Sequence, residues 1–336
     1  MKIRYISVEA PSVLGMRERE YDPDSLGDDE VFMETAYSAV SAGTERAWIT
    51  GNSNNTAQKF PGTIGYSAAG YVLKVGKDVK NLAEGDRVVM HALGHASHGV
   101  KKAQSIFKLT EEKMDLKSAA FSYIATFPLL GIRRLRIEMG ESVMVAGLGI
   151  LGLMAVRFAR LSGAAPILAA DMDPARRAKA LELGADMVFD PSSPTYIEEV
   201  KAATNQVGVD AVVEVTGIAA ALKQVLQFTR HATGRITLLG CTRVSDAPLD
   251  FYREVHLPGI TLIGAHTSNR PGGESRPGQW TSFDDFRTFE KFVASGRVDM
   301  DSIISRVEKI ENYQSVYDTI IRGKNPPFGI VFDWKN

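Results

Sequence analysis

Cysteine is nearly absent: Cys241 is the only one in 336 residues. That excludes an internal disulfide framework and any zinc site built from several thiolates, and it fits a reducing compartment. A charge excess of either sign is also missing, since 39 Lys and Arg stand against 40 Asp and Glu, for a formal charge of -1. Such a balance gives no broad attraction to nucleic acid or to an anionic membrane, so the expected partner is a small molecule. Long hydrophobic runs are lacking too. The longest uncharged apolar stretches, 118–132 and 142–156, are shorter than a membrane span and contain Gly or Pro. At the N-terminus, MKIRYISVEAP puts Arg4 and Glu9 where a signal peptide needs an uninterrupted apolar core. A soluble, cytoplasmic protein is expected.

What is present reads as globular. Apolar residues make up 44% and charged residues 24%, which excludes a disordered or fibrous chain, and the length allows two domains. Residues 1–115 read as short strands, for example KIRYISV (2–8), EVFMETAYSAVSAG (30–43), SAAGYVLKVG (67–76) and GDRVVMHAL (85–93). Turns at GNSNN (51–55) and GKDVKN (76–81) punctuate them, which predicts an all-β, barrel-like unit. From about 116 the pattern changes. MDLKSAAFSYIATFPLLGIRRL is one long amphipathic run. The strands ESVMVAG, PILAAD, ADMVFD, VDAVVEVTG, GRITLLG and GITLIGAH then alternate with the helices LGLMAVRFARLSG, PARRAKALELG and 219–230. That alternation signals βαβ units and a parallel sheet covered on both faces. After 266 come a polar loop, TSNRPGGESRPGQW (267–280), the helical SFDDFRTFEKFVASG, a second helix near 312–322 and a closing strand, FGIVFDW.

The strongest motif is VMVAGLGILG, residues 143–152. Its three glycines follow an apolar strand and open an apolar helix, and the next strand ends in Asp171, where the dinucleotide fingerprint expects an acid. Gly147 allows a tight turn, Gly149 lets the backbone approach a pyrophosphate, and Gly152 lets helix and strand pack closely. Leu148, Ile150 and Leu151 complete the turn whose amides would face the phosphates. Asp171 is suited to the ribose hydroxyls of NAD. A 2′-phosphate about 4 Å from its carboxylate would be repelled by about 1 kcal/mol in water and about 4 kcal/mol at an effective dielectric of ~20. Met172 offers no positive charge to offset this, so NAD is expected over NADP. Thr216 and Gly240 lie at strand ends where open α/β sheets bind ligands.

A β unit, a dinucleotide-binding unit and a returning tail resemble the medium-chain dehydrogenase/reductase superfamily, the alcohol dehydrogenase-like enzymes. PGTIGYSAAGYVLKVGKDVKNLAEGDRVV (61–89), GVDAVVEVTG, GRITLLG and GITLIGA resemble stretches of its signature. The resemblance implies an α/β chain with a GroES-like β-barrel catalytic domain, 1–124 and 270–336, and a Rossmann doubly wound parallel-sheet domain, 125–269. It also implies a homodimer paired through the strand at 259–266. The departures point to a zinc-free branch. By-eye alignment puts Ala42, Tyr66, Ser67 and Ser122 at or near the catalytic zinc ligand positions, none of them plausible as a Zn²⁺ set. The four-cysteine structural lobe has no counterpart, and SAGTER (41–46) is similar to zinc-free members carrying S-A-G-T-E. His91, His95 and His98 are spaced as ligands on a helix would be, but MHALGHASHGV follows a strand and lacks an acid or thiol, so no metal is expected.

Without zinc, a side chain or bound water must take up or deliver the hydroxyl proton. By the resemblance, Thr44 matches a hydroxyl relay and Thr126 a threonine against the nicotinamide, while Tyr66 turns its hydroxyl toward the reacting centre. Thr44 could equally be a strand-end threonine satisfying a turn, and Tyr66 an aromatic wall. Glu45 could be the base or a structural acid held by Arg46 or another cation, and the structural role is favoured. His266 ends the last strand and could reach the nicotinamide. Arg46, His95, His98 and Trp280 are candidate substrate contacts, Trp280 by stacking on a sugar face. The sequence therefore predicts an NAD-dependent, zinc-independent dehydrogenase of a secondary alcohol, a sugar or polyol. The alternatives are an NAD(P)H-dependent enone or quinone reductase, and a non-catalytic NAD(H)-binding sensor.

Overall fold

The structure is a computed structural model that describes residues 1–52, 59–241, 248–276, 278–323 and 327–335. The turn expected at 51–55 lies partly outside them. The chain divides into two compact units, Met1–Ile124 with Phe286–Asn336, and Ala125–Asp285. Residues 270–285, expected in the first unit, group with the second. The reason is local. Arg270 donates to the Thr126 carbonyl and ion-pairs with Asp285 at 2.8 Å, tying the polar loop to the second unit.

In the first unit, β1 (Lys2–Ala10), β2 (Val13–Glu20) and β4 (Gly62–Thr63) form a three-stranded antiparallel sheet. A seven-stranded sheet contains β3 (Glu30–Val40), β5 (Ser67–Val75), β6 (Arg87–His91), β7 (His98–Lys102), β8 (Phe107–Lys108), β15 (Arg306–Lys309) and β16 (Ile330–Asp333). Its backbone is β3, which pairs antiparallel with β5, β7 and β16. The strand expected over 30–43 stops at Val40, because Ser41 becomes the N-cap of α1 (Ala42–Ile49). On the returning tail, α9 (Tyr313–Arg322) buries Tyr313, Val316, Tyr317 and Ile320, the i, i+3, i+4, i+7 stripe of an amphipathic helix. That stripe packs with Ile6, Val8, Ile49, Phe332 and Trp334, each large side chain contributing about 1.5–3 kcal/mol of burial.

The second unit holds a six-stranded sheet, parallel throughout. Its strands are β9 (Val143–Ala146), β10 (Ile167–Ala170), β11 (Met187–Phe189), β12 (Ala211–Glu214), β13 (Arg235–Leu238) and β14 (Thr261–Gly264), in the spatial order β11-β10-β9-β12-β13-β14. Every residue of β9, β10 and β12 is buried, as strands covered on both faces require. The connecting helices are α4 (Ile150–Leu161), α5 (Pro174–Glu182), α6 (Tyr196–Ala203) and α7 (Ala219–Phe228). Strand order reverses at β9, with β10 on one side and β12 on the other. Open α/β sheets present their ligand crevice at such a point.

Three differences from the sequence reading have physical causes. The long run at 114–135 is two helices, α2 (Leu116–Ala119) and α3 (Ser122–Leu135), the first capped by the Asp115 carboxylate on the Ser118 amide. Helix α6, not foreseen, buries Tyr196 and Val200. A π-helical turn, Tyr252–His256, precedes β14. The helix after the polar loop, α8 (Ser282–Ala294), is seen as expected. Among the described residues, no helix is long and apolar enough to cross a membrane.

Candidate functional site

The turn after β9 has the shape a dinucleotide needs. Gly147 adopts φ +96°, a left-handed conformation that disfavours any side chain. A Cβ on Gly152 would lie 1.8 Å from the Gly147 carbonyl oxygen, so α4 and the turn meet backbone to backbone. Gly149, the N-cap of α4, would place a Cβ in open space. No side chain caps that helix, so its first amides are offered to an external anion. Leu148 and Ile150 bury their side chains and Leu151 is half-buried, leaving their backbones to line the turn. This cradle fits a pyrophosphate.

Asp171 follows β10 and is tied to the same turn. Its Oδ2 accepts from the Leu148 amide at 2.7 Å and its Oδ1 from the Asp173 amide at 2.9 Å. Arg176 lies 3.9 Å from Oδ2, and Arg177 donates to the Asp171 and Met172 carbonyls. On the other side of β9, Glu214 ends β12, a buried acid that the sequence reading passed over. Its carboxylate accepts from the amides of Thr216, at 2.8 Å, and Gly217, at 3.1 Å, and from the Thr216 hydroxyl. Burial pushes its carboxyl above the usual range, against those hydrogen bonds. The Thr216 hydroxyl, a candidate cofactor contact, is therefore engaged by its own loop. A Cβ on Gly240 would sit 2.2 Å from the Gly217 amide, so that glycine serves close backbone packing. Thr126 is fully buried in α3.

In the first unit, the SAGTE segment is the start of α1. Ser41 is the N-cap, yet its hydroxyl makes no capping bond. Its hydroxyl and that of Thr44 instead act on the Tyr66 phenol, favouring its ionised form. Tyr66 meets Tyr123 edge-on, with ring centroids 5.6 Å apart. Burial first, and the Glu45 charge second, push the Tyr66 phenol well up, so it stays protonated at ordinary pH. Glu45 is 2% exposed, and the basic side chain bonded to it among the described residues is His95, not Arg46. Its Oε1 accepts from the Ser41 amide at 2.9 Å, and its Oε2 from Tyr317 Oη at 2.5 Å and His95 Nε2 at 3.2 Å.

His95, expected at the substrate, has no exposed surface. It lies in the core between Ser38 and Glu45 and cannot touch a ligand. The other two histidines of that segment point elsewhere: His91 stacks on Tyr123 and His98 on Phe32. His266 is exposed, and its Nδ1 is bonded to the Ser268 hydroxyl at 2.7 Å. Arg46 is exposed on α1. One face of Trp280 carries the Arg133 guanidinium, 4.2 Å from the ring centre, where a sugar was expected.

A zinc ion does not fit the residues at the expected ligand positions. Ala42 has no donor atom, Ser67 gives its hydroxyl to the Ala120 carbonyl at 2.5 Å, and Tyr66 offers a phenol where zinc takes an imidazole, thiolate or carboxylate. Among the described residues, no three His, Cys, Asp or Glu side chains lie together as a ligand group.

Comparison with known proteins places this architecture. The family described as "Alcohol dehydrogenase GroES-like domain" matches residues 27–123, and "Zinc-binding dehydrogenase" matches residues 151–283. Sorbitol dehydrogenase of Bacillus subtilis (strain 168) is 23% identical, over 90% of this chain and 89% of its own. (R,R)-butanediol dehydrogenase of the same strain is 30% identical, over 53% of this chain and 58% of its own. A protein from Sinorhizobium meliloti 1021 whose crystal structure holds NADP shares the fold, with a TM-score of 0.82 at 20% identity over 99% of both chains. The α/β chain is thus a GroES-like unit joined to a Rossmann-like parallel sheet.

Proposed function

Because the chain belongs to the alcohol dehydrogenase family of medium-chain dehydrogenases and reductases, we propose that it is an NAD(H)-dependent, zinc-independent oxidoreductase acting on a secondary alcohol, a sugar or polyol. The observation that carries the reading is the glycine turn 147–152 with Asp171 hydrogen-bonded to it. The α4 amides bind the pyrophosphate, and Asp171 accepts from the ribose hydroxyls and repels a 2′-phosphate. Nicotinamide, when bound, takes or gives the hydride. The proton is the protein's task. Tyr66 donates its phenolic proton to the carbonyl oxygen during reduction and takes another from water by way of the exposed Thr44 hydroxyl; in oxidation it receives the alcohol's proton as its own passes out to water by the same route. Support for zinc independence is the side-chain set at 42, 66 and 67. The sorbitol and butanediol dehydrogenases among the relatives support the alcohol class.

The test is metal-stripped protein with NAD, then NADP, against sugars, polyols and simple alcohols, followed by reduced-cofactor absorbance. Turnover with NAD and a polyhydroxylated compound is expected. Activity that appears only after Zn²⁺ is added would sink the zinc-free reading, and preference for NADP would sink the role of Asp171. The same reading has the enzyme as a cytoplasmic homodimer joined through β14, an edge strand of the parallel sheet. Light scattering that gives only the 36.6 kDa monomer would remove the dimer.

A further inference from the structure

Behind Tyr66 lies a chain of buried polar groups that the reaction itself does not need. Trp334 Nε1 donates to Ser38 Oγ at 2.8 Å, and Ser38 Oγ lies 2.7 Å from His95 Nδ1. An indole nitrogen can only donate. Ser38 therefore accepts from Trp334, while the His95 ring turns Nδ1 to Ser38 and Nε2 to Glu45. The Glu45 carboxylate then receives three donors: Nε2, the Tyr317 hydroxyl and the Ser41 amide. Every group in the chain is satisfied, as a buried network must be.

The same groups grip the backbone next to Tyr66. The His95 amide donates to the Ile64 carbonyl at 2.7 Å and the Ala92 amide to the Tyr66 carbonyl at 3.0 Å. The His95 ring fills the space where a Cβ on Gly65 would stand. A serine at an N-cap ordinarily turns its hydroxyl back onto the helix amides. Here Glu45, one turn along α1, accepts the Ser41 amide, and the Ser41 hydroxyl is left uncapped to act on the Tyr66 phenol.

We propose that Glu45 is a positioning residue for Tyr66, and that Tyr317 and His95 hold it in place, so that the C-terminal helix α9 helps aim the proton-transferring hydroxyl. This rests on the reading that Tyr66 moves the proton. The chemistry makes glutamine a sharp probe. All partners of Glu45 are donors, and the NH₂ of a glutamine is a donor too, so Glu45→Gln keeps one oxygen's contacts and loses the other's. Tyr317→Phe removes a single hydroxyl and keeps the ring in the core.

The test pairs crystal structures of Glu45→Gln and Tyr317→Phe with kinetics using NAD and sorbitol. The kinetic set adds Tyr66→Phe and the double variant Tyr66→Phe/Glu45→Gln. In the crystals, the Ser41 hydroxyl should turn to cap α1 and the Tyr66 hydroxyl should shift from its wild-type position. In solution, kcat should fall about a hundredfold in Tyr66→Phe and about tenfold in Tyr317→Phe and Glu45→Gln, with KM within about threefold. The double variant should be no slower than Tyr66→Phe. A Tyr66 hydroxyl and an uncapped Ser41 that stay in place in both single variants overturn the proposal. So does a Glu45→Gln penalty of equal size with and without Tyr66. An unimpaired Tyr66→Phe would defeat the proton-transfer reading and the positioning role with it. If sorbitol is not turned over, sorbitol is not the polyol used and the crystals alone decide the positioning.

Discussion

The His95 ring occupies the space beside Gly65: a Cβ built on Gly65 would lie 2.4 Å from His95 Cδ2. Gly65 also holds φ +90°. Gly65→Ala therefore combines left-handed backbone strain with a clash against a ring that has no exposed surface along which to move. A loss of about 2–5 kcal/mol is expected, read as a lower urea midpoint with an unchanged slope. A variant as stable as the wild type would mean that the ring moves aside.

Two glycines of the turn after β9 should respond differently. Gly149 has φ -68° and open space at its Cβ. Gly149→Ala should alter stability by less than about 1 kcal/mol, since a weaker N-cap offsets the stiffer unfolded chain. Its affinity for NAD should nevertheless drop at least tenfold, because the methyl enters the space meant for the pyrophosphate. Gly152→Ala must move the Gly147 carbonyl and should lose stability and affinity together. Calorimetric titration with NAD alongside thermal melts separates the two. Full NAD affinity in Gly149→Ala would remove the pyrophosphate from this turn.

On the proposed function, Asp171 sets the preference for NAD. Asp171→Ala removes the carboxylate that would repel a 2′-phosphate and leaves Arg176 beside the vacated place. The ratio of NAD to NADP dissociation constants should move toward NADP by about tenfold or more. An unmoved ratio would place the discrimination elsewhere.

The Asp285 carboxyl is fully buried, and burial pushes it up to about 6, opposed by Arg270 and Arg133. Between about pH 4 and 6 the folded protein keeps a proton that the unfolded chain has released, so stability falls as pH rises through this window. The fall is about 2–3 kcal/mol and is complete above the folded value. Asp285→Asn should lack it, so its stability deficit against the wild type should shrink from pH 4 to pH 6.5 in urea titrations. A deficit that grows with pH would mean that the two arginines outweigh burial.

Local pattern made much of the fold legible. The glycine turn and Asp171 were readable because a strand, a tight turn and a helix N-terminus each leave a signature within a few residues. Helix α6 had the apolar spacing of Tyr196, Ile197 and Val200, which could have exposed it. Glu214 offered a weaker signal, an acid ending an otherwise apolar strand. His95 was misread. Three histidines at ligand-like spacing look alike in sequence, and only the strand geometry buries one of them while turning His91 and His98 onto separate rings.

By itself, then, the sequence determined the parallel-sheet unit, its cofactor turn and the residues standing at 42, 66 and 67, since these follow from hydrophobic period, glycine chemistry and residue identity. The surroundings of Tyr66 were decided by tertiary structure alone. Glu45 meets Tyr317 across 272 positions of chain, and Ser38 meets Trp334 across 296. No spacing rule reaches that far. A buried carboxylate accepts whichever donors packing brings to it, and here the returning tail supplies them.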